Sequence, residues 1–142
     1  DTKIASIADV NTQDKINQEF IECYDFILIP ADQYHKLCTD KIDLVVNFVS
    51  FIEMDKYWFD LYTKSAPFIT AEFIYTVNRY DANPTYNSGL TILDFPLENY
   101  EKLIFRTLPI IKYYFSPKCF FLNIKKRYPS EFFEFIGRRI KE

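Results

Sequence analysis

The sequence predicts an α/β domain with a mostly parallel sheet, and three neighbouring segments carry this prediction. Residues 42–49 form a mostly apolar run with several β-branched side chains, which indicates a strand buried on both faces. Residues 71–77 indicate a second strand, and the stretch between the two has helical spacing. Two strands joined by a helix form a right-handed parallel crossover in nearly every known case.

The connecting helix is expected to begin after Asp55, whose carboxylate is suited to cap a first turn. Trp58, Leu61 and Tyr62 recur at spacings of three and four, so we expect them to form its apolar side. Pro67 is expected to stop this helix before the second strand, because proline disrupts a helix interior.

The N-terminal part of the chain predicts shorter elements. A helix capped by Asn11 or Thr12 precedes a strand over residues 24–29, which Pro30 ends. Residues 31–37 then indicate a short helix or turn.

The C-terminal part predicts one loop region followed by three elements. Residues 81–99 have loop chemistry, and residues 100–105 begin a helix or a strand. Residues 118–124 indicate a late strand. Ser130 is then expected to cap a terminal helix with a shared apolar side, formed by Phe132, Phe135, Ile136 and Ile140.

Composition bounds the class of protein. A chain of 142 residues suits one domain over residues 1–142, and 49% hydrophobic residues supply ample core material. No stretch of 18 or more apolar residues and no signal peptide is present, so we expect neither membrane spanning nor secretion. The three cysteines form no close pair, which predicts buried, reduced thiols in a cytoplasmic protein.

Charge is unevenly distributed along the chain. Residues 1–101 carry 7 basic and 17 acidic side chains, whereas residues 102–142 carry 10 basic and 3 acidic ones. A basic end attracts phosphates, nucleic acid or an acidic membrane, or pairs with the acidic part of its own chain. The one basic cluster, residues 125–127, is too small to indicate nucleic-acid recognition. His35 is the only histidine and has no second ligand at metal-binding spacing, so no metal site is predicted.

Polar side chains follow both predicted strands of the parallel pair. Asn47, Ser50 and Glu53 come at the end of the first, and Asn78 and Arg79 at the end of the second. Ligands bind at the carboxyl ends of strands in such sheets. The sequence therefore predicts a site at this edge.

These segments resemble sugar O-methyltransferases, which are S-adenosylmethionine-dependent enzymes with a Rossmann-like fold. The resemblance is carried by Asn-x-x-Ser-x-x-Glu-Met over residues 47–54, by Asn-Arg-Tyr over residues 78–80 and by Asp-Phe-Pro over residues 94–96. It is good across residues 42–80, looser to about residue 115, and weak elsewhere.

The resemblance implies a partial Rossmann-like, three-layer sheet that lacks the first strands. Family members bind the cofactor through a glycine-rich turn, because glycine allows close backbone approach. This chain has only Gly89 and Gly137, whereas average usage of ~7% predicts roughly ten glycines. A start at Asp1 also suits a fragment. We therefore expect the C-terminal half of a methyltransferase, inactive alone and unable to bind S-adenosylmethionine tightly.

The resemblance also implies roles for six residues in a complete enzyme. Asp32 would accept a hydrogen bond from the adenine amino group of the cofactor. Asn47 and Ser50 would line the cofactor side of the site. Alternatively, Asp32 is a solvated capping residue, and the other two form a turn through side-chain-to-backbone bonds.

The remaining three residues would face a saccharide acceptor. Glu53 would act as general base or bond a sugar hydroxyl, while Asn78 and Arg79 would contact the acceptor. The alternatives are an exposed acid near a helix start for Glu53, and an internal ion pair of Arg79 with Glu53 or Asp81.

Missing strands imply a partner. In the family the strand equivalent to residues 24–29 is separated from the one at 43–49 by the first two strands. Without these, both edges carry unpaired backbone groups. We therefore expect a homodimer, a rearranged sheet, or association with a missing N-terminal half. The competing hypothesis is a non-enzymatic Rossmann-like interaction module that dimerises through strand edges and aromatic surface.

Overall fold

The computed structural model describes residues 1–39, 41–82, 88–108 and 132–140, which form a mixed α/β fold with two sheets. Strands β1 (Ile4–Ala5) and β2 (Phe26–Ile27) pair in parallel as a small sheet. The larger sheet contains β3 (Leu44–Phe48), β4 (Phe73–Arg79), β5 (Tyr100–Leu108) and β6 (Phe132–Arg139). The α-helices are α1 (Ile7–Asn11), α2 (Gln18–Glu22), α3 (Lys56–Thr63) and α4 (Ala66–Thr70). Four 3-10 helices span Ala31–Lys36, Phe51–Glu53, Ile92–Asp94 and Leu97–Asn99.

The predicted strand–helix–strand unit is confirmed. Strands β3 and β4 are parallel neighbours, with Leu44 opposite Phe73, and α3 lies between them in the chain. Helix α3 begins as expected, because the Asp55 carboxylate accepts a hydrogen bond from the backbone N–H of Trp58 at 3.1 Å.

The larger sheet has the order β3-β4-β6-β5. Strand β6 is antiparallel to both β4 and β5, so β3, β4 and β5 share one direction and β6 is reversed. The α/β class is therefore confirmed, and the sheet is mixed and open rather than closed. A reversed strand on an otherwise parallel sheet is common in α/β proteins.

One face of the larger sheet carries the aromatic core. Phe59 from α3 and Phe68 from α4 pack there with Phe95 and Phe133, all at most 2% exposed. The opposite face, which we call the open face, is solvent-exposed along the two outer strands of the described sheet, β3 and β5. Leu44, Val46, Phe48 and Ile104 are between 39% and 54% exposed there.

Two details of the strand–helix–strand unit differ from the sequence prediction. Strand β3 is buried on one face only: Val45 and Asn47 face the core, whereas Leu44, Val46 and Phe48 on the other face are about half exposed. Helix α3 buries Phe59 and Thr63. The predicted apolar side is half-buried, and of its three residues Tyr62 packs against the core, next to Phe51. Both faces of this short helix carry apolar side chains, so spacing alone does not identify the buried one.

The prediction that Pro67 stops this helix is wrong. Helix α3 ends at Thr63, and Pro67 lies in the first turn of α4. A proline is tolerated there, since the first N–H groups of a helix have no intrahelical partner.

The predicted terminal helix is a strand. Phe133 and Phe135 point from β6 into the core at a spacing of two, and Gly137 continues the same face. A Cβ atom at Gly137 would lie 2.7 Å from the Cβ of Tyr100, so only glycine lets β5 and β6 approach this closely. Pairing with β4 and β5 outweighs the helical spacing. The proposed cap, Ser130, and the predicted strand over residues 118–124 lie outside the described residues.

The N-terminal part confirms the predicted strand and short helix, with two corrections. Strand β2 pairs with β1 instead of leaving both its edges free, and α2 is capped by Asn17 rather than by Asn11 or Thr12. The thiols of Cys23 and Cys38 are exposed, contrary to the prediction of buried cysteines. Over the described ranges, no helix is both long and apolar enough to cross a membrane.

Candidate functional site

Three of the predicted site residues meet at the carboxyl ends of β3 and β4. The side-chain amide of Asn78 donates to Asn47 Oδ1 at 2.9 Å, and the amide of Asn47 donates to Ser50 Oγ at 2.6 Å. Parallel strands end at the same edge, which explains why residues 31 positions apart in the chain come together. We call Asn47, Ser50, Thr76 and Asn78 the amide network.

The amide network also fixes the loop that follows β3. The backbone N–H of Phe51 bonds Asn47 Oδ1, and that of Ile52 bonds Asn78 Oδ1, both at 3.4 Å. The second amide proton of Asn78 goes to Thr76 Oγ1 at 2.6 Å. Asn78 is fully buried, so both of its amide protons are used inside the protein. The Asn78 side chain therefore positions the loop.

Backbone strain marks the same loop. Val49 has a φ of 60°, a left-handed conformation that β-branched residues rarely adopt. Its N–H donates to the carbonyl of Val77 at 2.7 Å, which holds the loop against β4. Strain of this kind persists only where surrounding contacts enforce it, and it clusters at functional sites.

The other predicted site residues take different positions. Glu53 is half-buried at the end of the 3-10 helix Phe51–Glu53. It directly follows Ile52, whose backbone N–H donates to Asn78 Oδ1. Arg79 follows Asn78 on the strand, so its side chain lies on the opposite sheet face. Its guanidinium carbon lies 5.2 Å from the ring centre of Phe132.

Asp32 is separate from the amide network. It is exposed in the 3-10 helix Ala31–Lys36, which follows β2 of the small sheet. In the described part of the chain, no hydrogen bond or ion pair joins it to the ends of β3 and β4. Next to it, Tyr34 bonds Ser65 at 2.9 Å, which attaches this helix to the start of α4 instead.

Sequence reasoning missed a polar cluster on the open sheet face. Glu134 lies in the middle of β6, where it accepts from the Tyr75 hydroxyl at 2.9 Å and from the Arg106 guanidinium. The hydrogen bond from Arg106, and to a smaller extent the one from Tyr75, hold the pKa of Glu134 below its ordinary value. No sequence signal indicated this cluster, because it requires β6 to be a strand paired with both neighbours.

Replacing Glu134 is expected to change stability in a pH-dependent way. A lowered folded-state pKa stabilises the fold above the ordinary carboxyl value of 4.5, and this stabilisation is lost as the pH falls through the folded value. Because Arg106 is 63% exposed and water screens the pair, we expect Glu134→Gln to cost about 1 kcal/mol at pH 7. Urea unfolding at pH 7 and pH 3.5 measures the difference, which should shrink at the lower pH. The exposed Glu98→Gln is the control, and a loss independent of pH would contradict the assignment.

Two open grooves lie away from the amide network. One, of about 580 Å³, is bordered by Glu72 and Arg139 and by the 2.8 Å ion pair of Glu101 with Arg138. The other, of about 370 Å³, lies between the 3-10 helix Ala31–Lys36 and the α3–α4 junction. It is lined by Tyr34, His35, Leu37, Asp60, Leu61, Lys64, Ser65 and Ala66. Within the described ranges no group of three or more acidic, histidine or cysteine residues is arranged to hold a metal ion.

Comparison with known proteins found no matching family model, no similar curated protein and no similar solved structure.

Proposed function

We propose that this chain is the C-terminal, acceptor-side half of a Rossmann-like sugar O-methyltransferase, inactive by itself. The observation that carries the proposal is the 2.9 Å bond between Asn47 and Asn78, at the shared edge of two parallel strands joined by α3. Ligand sites of α/β sheets form at this edge. The residues at this edge are also those that carry the resemblance to the family.

Within this proposal, Asn78 is a positioning residue. Its amide holds Asn47 and the Ile52 N–H, and this fixes the loop from Ser50 to Glu53. Glu53 would then take the proton of a saccharide hydroxyl onto its carboxylate as that oxygen becomes a nucleophile. Arg79 would contact acceptor groups from the other face of the strand, where its planar fork suits a sugar diol or an anion.

The residues present do not by themselves make a site for S-adenosylmethionine. Asn47 and Ser50 bond each other at 2.6 Å, and Asp32 lies apart from them. The chain also has no Gly-x-Gly sequence with which to cradle such a ligand. We therefore assign it no methyl-transfer step on its own, and the missing part of the site would come from additional chain.

A titration tests the proposed inactivity. Isothermal calorimetry of the 142-residue protein with S-adenosylmethionine is expected to show no binding stronger than about 1 mM, since half of the pocket is missing. The control is the same titration with a complete methyltransferase. Micromolar binding by this chain would overturn the proposal that it is inactive alone.

The coding sequence upstream of Asp1 tests the methyltransferase proposal itself. We expect an open frame of about 100 residues or more that encodes a strand, a glycine-rich turn and a helix, as nucleotide-type cofactors require. Expression of that longer chain should give transfer of labelled methyl groups to saccharides, and Glu53→Gln should lower the rate by about 100-fold or more. An upstream frame that lacks such a unit would contradict the proposal.

A non-enzymatic interaction module is the second candidate, and one observation favours it. The amide network bonds within itself, while Leu44, Val46 and Phe48 remain about half exposed on the open face of β3. A contiguous exposed apolar patch is typical of a surface that binds another molecule. Under this hypothesis the upstream frame would be absent and the longer chain would transfer no methyl group.

A further inference from the structure

Strand β3 has a free edge within the described sheet. It is the end strand of the order β3-β4-β6-β5, with β4 on one side only. The carbonyl of Asp43 accepts from Phe73 N–H, and Val49 N–H donates to Val77, so the odd-numbered residues bond β4. Backbone groups alternate in direction along a strand, so those of Leu44, Val46 and Phe48 point to the free edge.

The same three residues present their side chains on the open face. Leu44 is 50% exposed, Val46 47% and Phe48 54%, whereas Asn47 between them is buried. One short row therefore combines apolar side chains with backbone groups that have no partner among the described residues. Such an edge is a template for another strand.

Nothing along this row protects the edge from pairing. Natural proteins block free edges with proline, inward-pointing charges or bulges. Leu44–Phe48 contains none of these, and its pairing with β4 is regular throughout. A net charge of −3 for the whole chain gives little repulsion between copies.

We propose that β3 pairs antiparallel with β3 of a second copy of this chain, on a two-fold axis at Val46. Leu44 then lies opposite the partner's Phe48, and Val46 opposite the partner's Val46. In this register Leu44, Val46 and Phe48 each form a hydrogen-bonded pair with a residue of the partner, which makes three such pairs. A register shifted by two residues would form only two hydrogen-bonded pairs. The two four-stranded sheets become one sheet of eight strands.

The area of this interface determines the affinity of the dimer. Five paired residues span about 17 Å, which buries less than the roughly 800 Å² per partner of a standard interface. The dimer should therefore be weak, with a dissociation constant on the order of 10–100 μM. The dimer is proposed for the 142-residue chain by itself, because in a complete methyltransferase the first strands would lie beside β3 and cover this edge. Dimerisation is measured on this chain and methyl transfer on the longer one, so the failure of one proposal is distinguished from the failure of the other.

Disulfide trapping tests the register directly. In a background with Cys23, Cys38 and Cys119 changed to serine, Val46→Cys should form an intermolecular disulfide, since Cα atoms of such a pair lie about 5.5 Å apart. Leu44→Cys is the matched control, because its copies would be about 14 Å apart, too far to bond. Equal crosslinking of both variants, or of neither, would overturn the proposed pairing.

Sedimentation across a concentration series tests the dimer without a covalent trap. The wild-type chain should shift from monomer to dimer between about 1 and 300 μM. Val46→Lys should raise the dissociation constant at least about tenfold, because two like charges face each other across the axis. Leu93→Lys, at a residue 90% exposed and outside the sheet, should leave it unchanged. A wild-type monomer at 300 μM, or a dimer that survives Val46→Lys, would overturn the proposal.

Discussion

Asn78→Leu is expected to destabilise the fold by about 3 kcal/mol, because two buried polar groups lose their partner and a third loses one of two. Thr76 Oγ1 loses the amide that bonds it, and the Ile52 N–H loses its acceptor. Asn47 Oδ1 keeps only its bond from the Phe51 N–H. Each unsatisfied buried group costs about 1–3 kcal/mol, and relaxation of the loop recovers part of the sum. Leucine has the same branched shape and is larger, so no cavity forms, and the loss reflects missing hydrogen bonds and tighter packing.

Urea unfolding measures this loss, and amide exchange locates it. Exchange at Ile52 should accelerate more than exchange at residues of β6, because the loop is held by Asn78 directly. Asn99→Leu is the matched control, since Asn99 is exposed at the end of the 3-10 helix Leu97–Asn99. Equal stability of Asn78→Leu and the control would show that the amide network contributes nothing to the fold.

The strand–helix–strand unit was predictable because its signals are local. An apolar run, a capping Asp55 and a second apolar run specify β3, α3 and β4 without information from distant residues. The meeting of Asn47 with Asn78 then follows from parallel geometry alone. The same geometry also contained a signal that the sequence prediction did not use: neighbours on a strand point to opposite faces, so Asn78 and Arg79 cannot face one ligand from the same side.

Strand β6 was not predictable in the same way. Its apolar residues fit a helical spacing and a strand spacing equally well, because the segment is apolar at most positions. The choice is made by pairing with β4, about 60 positions earlier in the chain, and with β5. Tertiary pairing of this kind outweighs local propensity. The exposure of one face of β3 is also a tertiary effect, because α3 and α4 contribute their buried side chains to the core on the other face.

Phe133→Ala is expected to cost about 3–5 kcal/mol, the range for removing a fully buried phenylalanine. Phe133 is 0% exposed, and its ring centre lies 5.4 Å from that of Phe95 and 5.5 Å from that of Tyr80. These contacts join β6 to the residue that follows β4 and to the chain before β5, so the cavity cannot close without moving the backbone. Thermal and urea unfolding measure the loss, with Phe26→Ala, at a residue 63% exposed in β2, as the control. A loss below about 1 kcal/mol, equal to that of the control, would contradict the placement of β6 in the centre of the core.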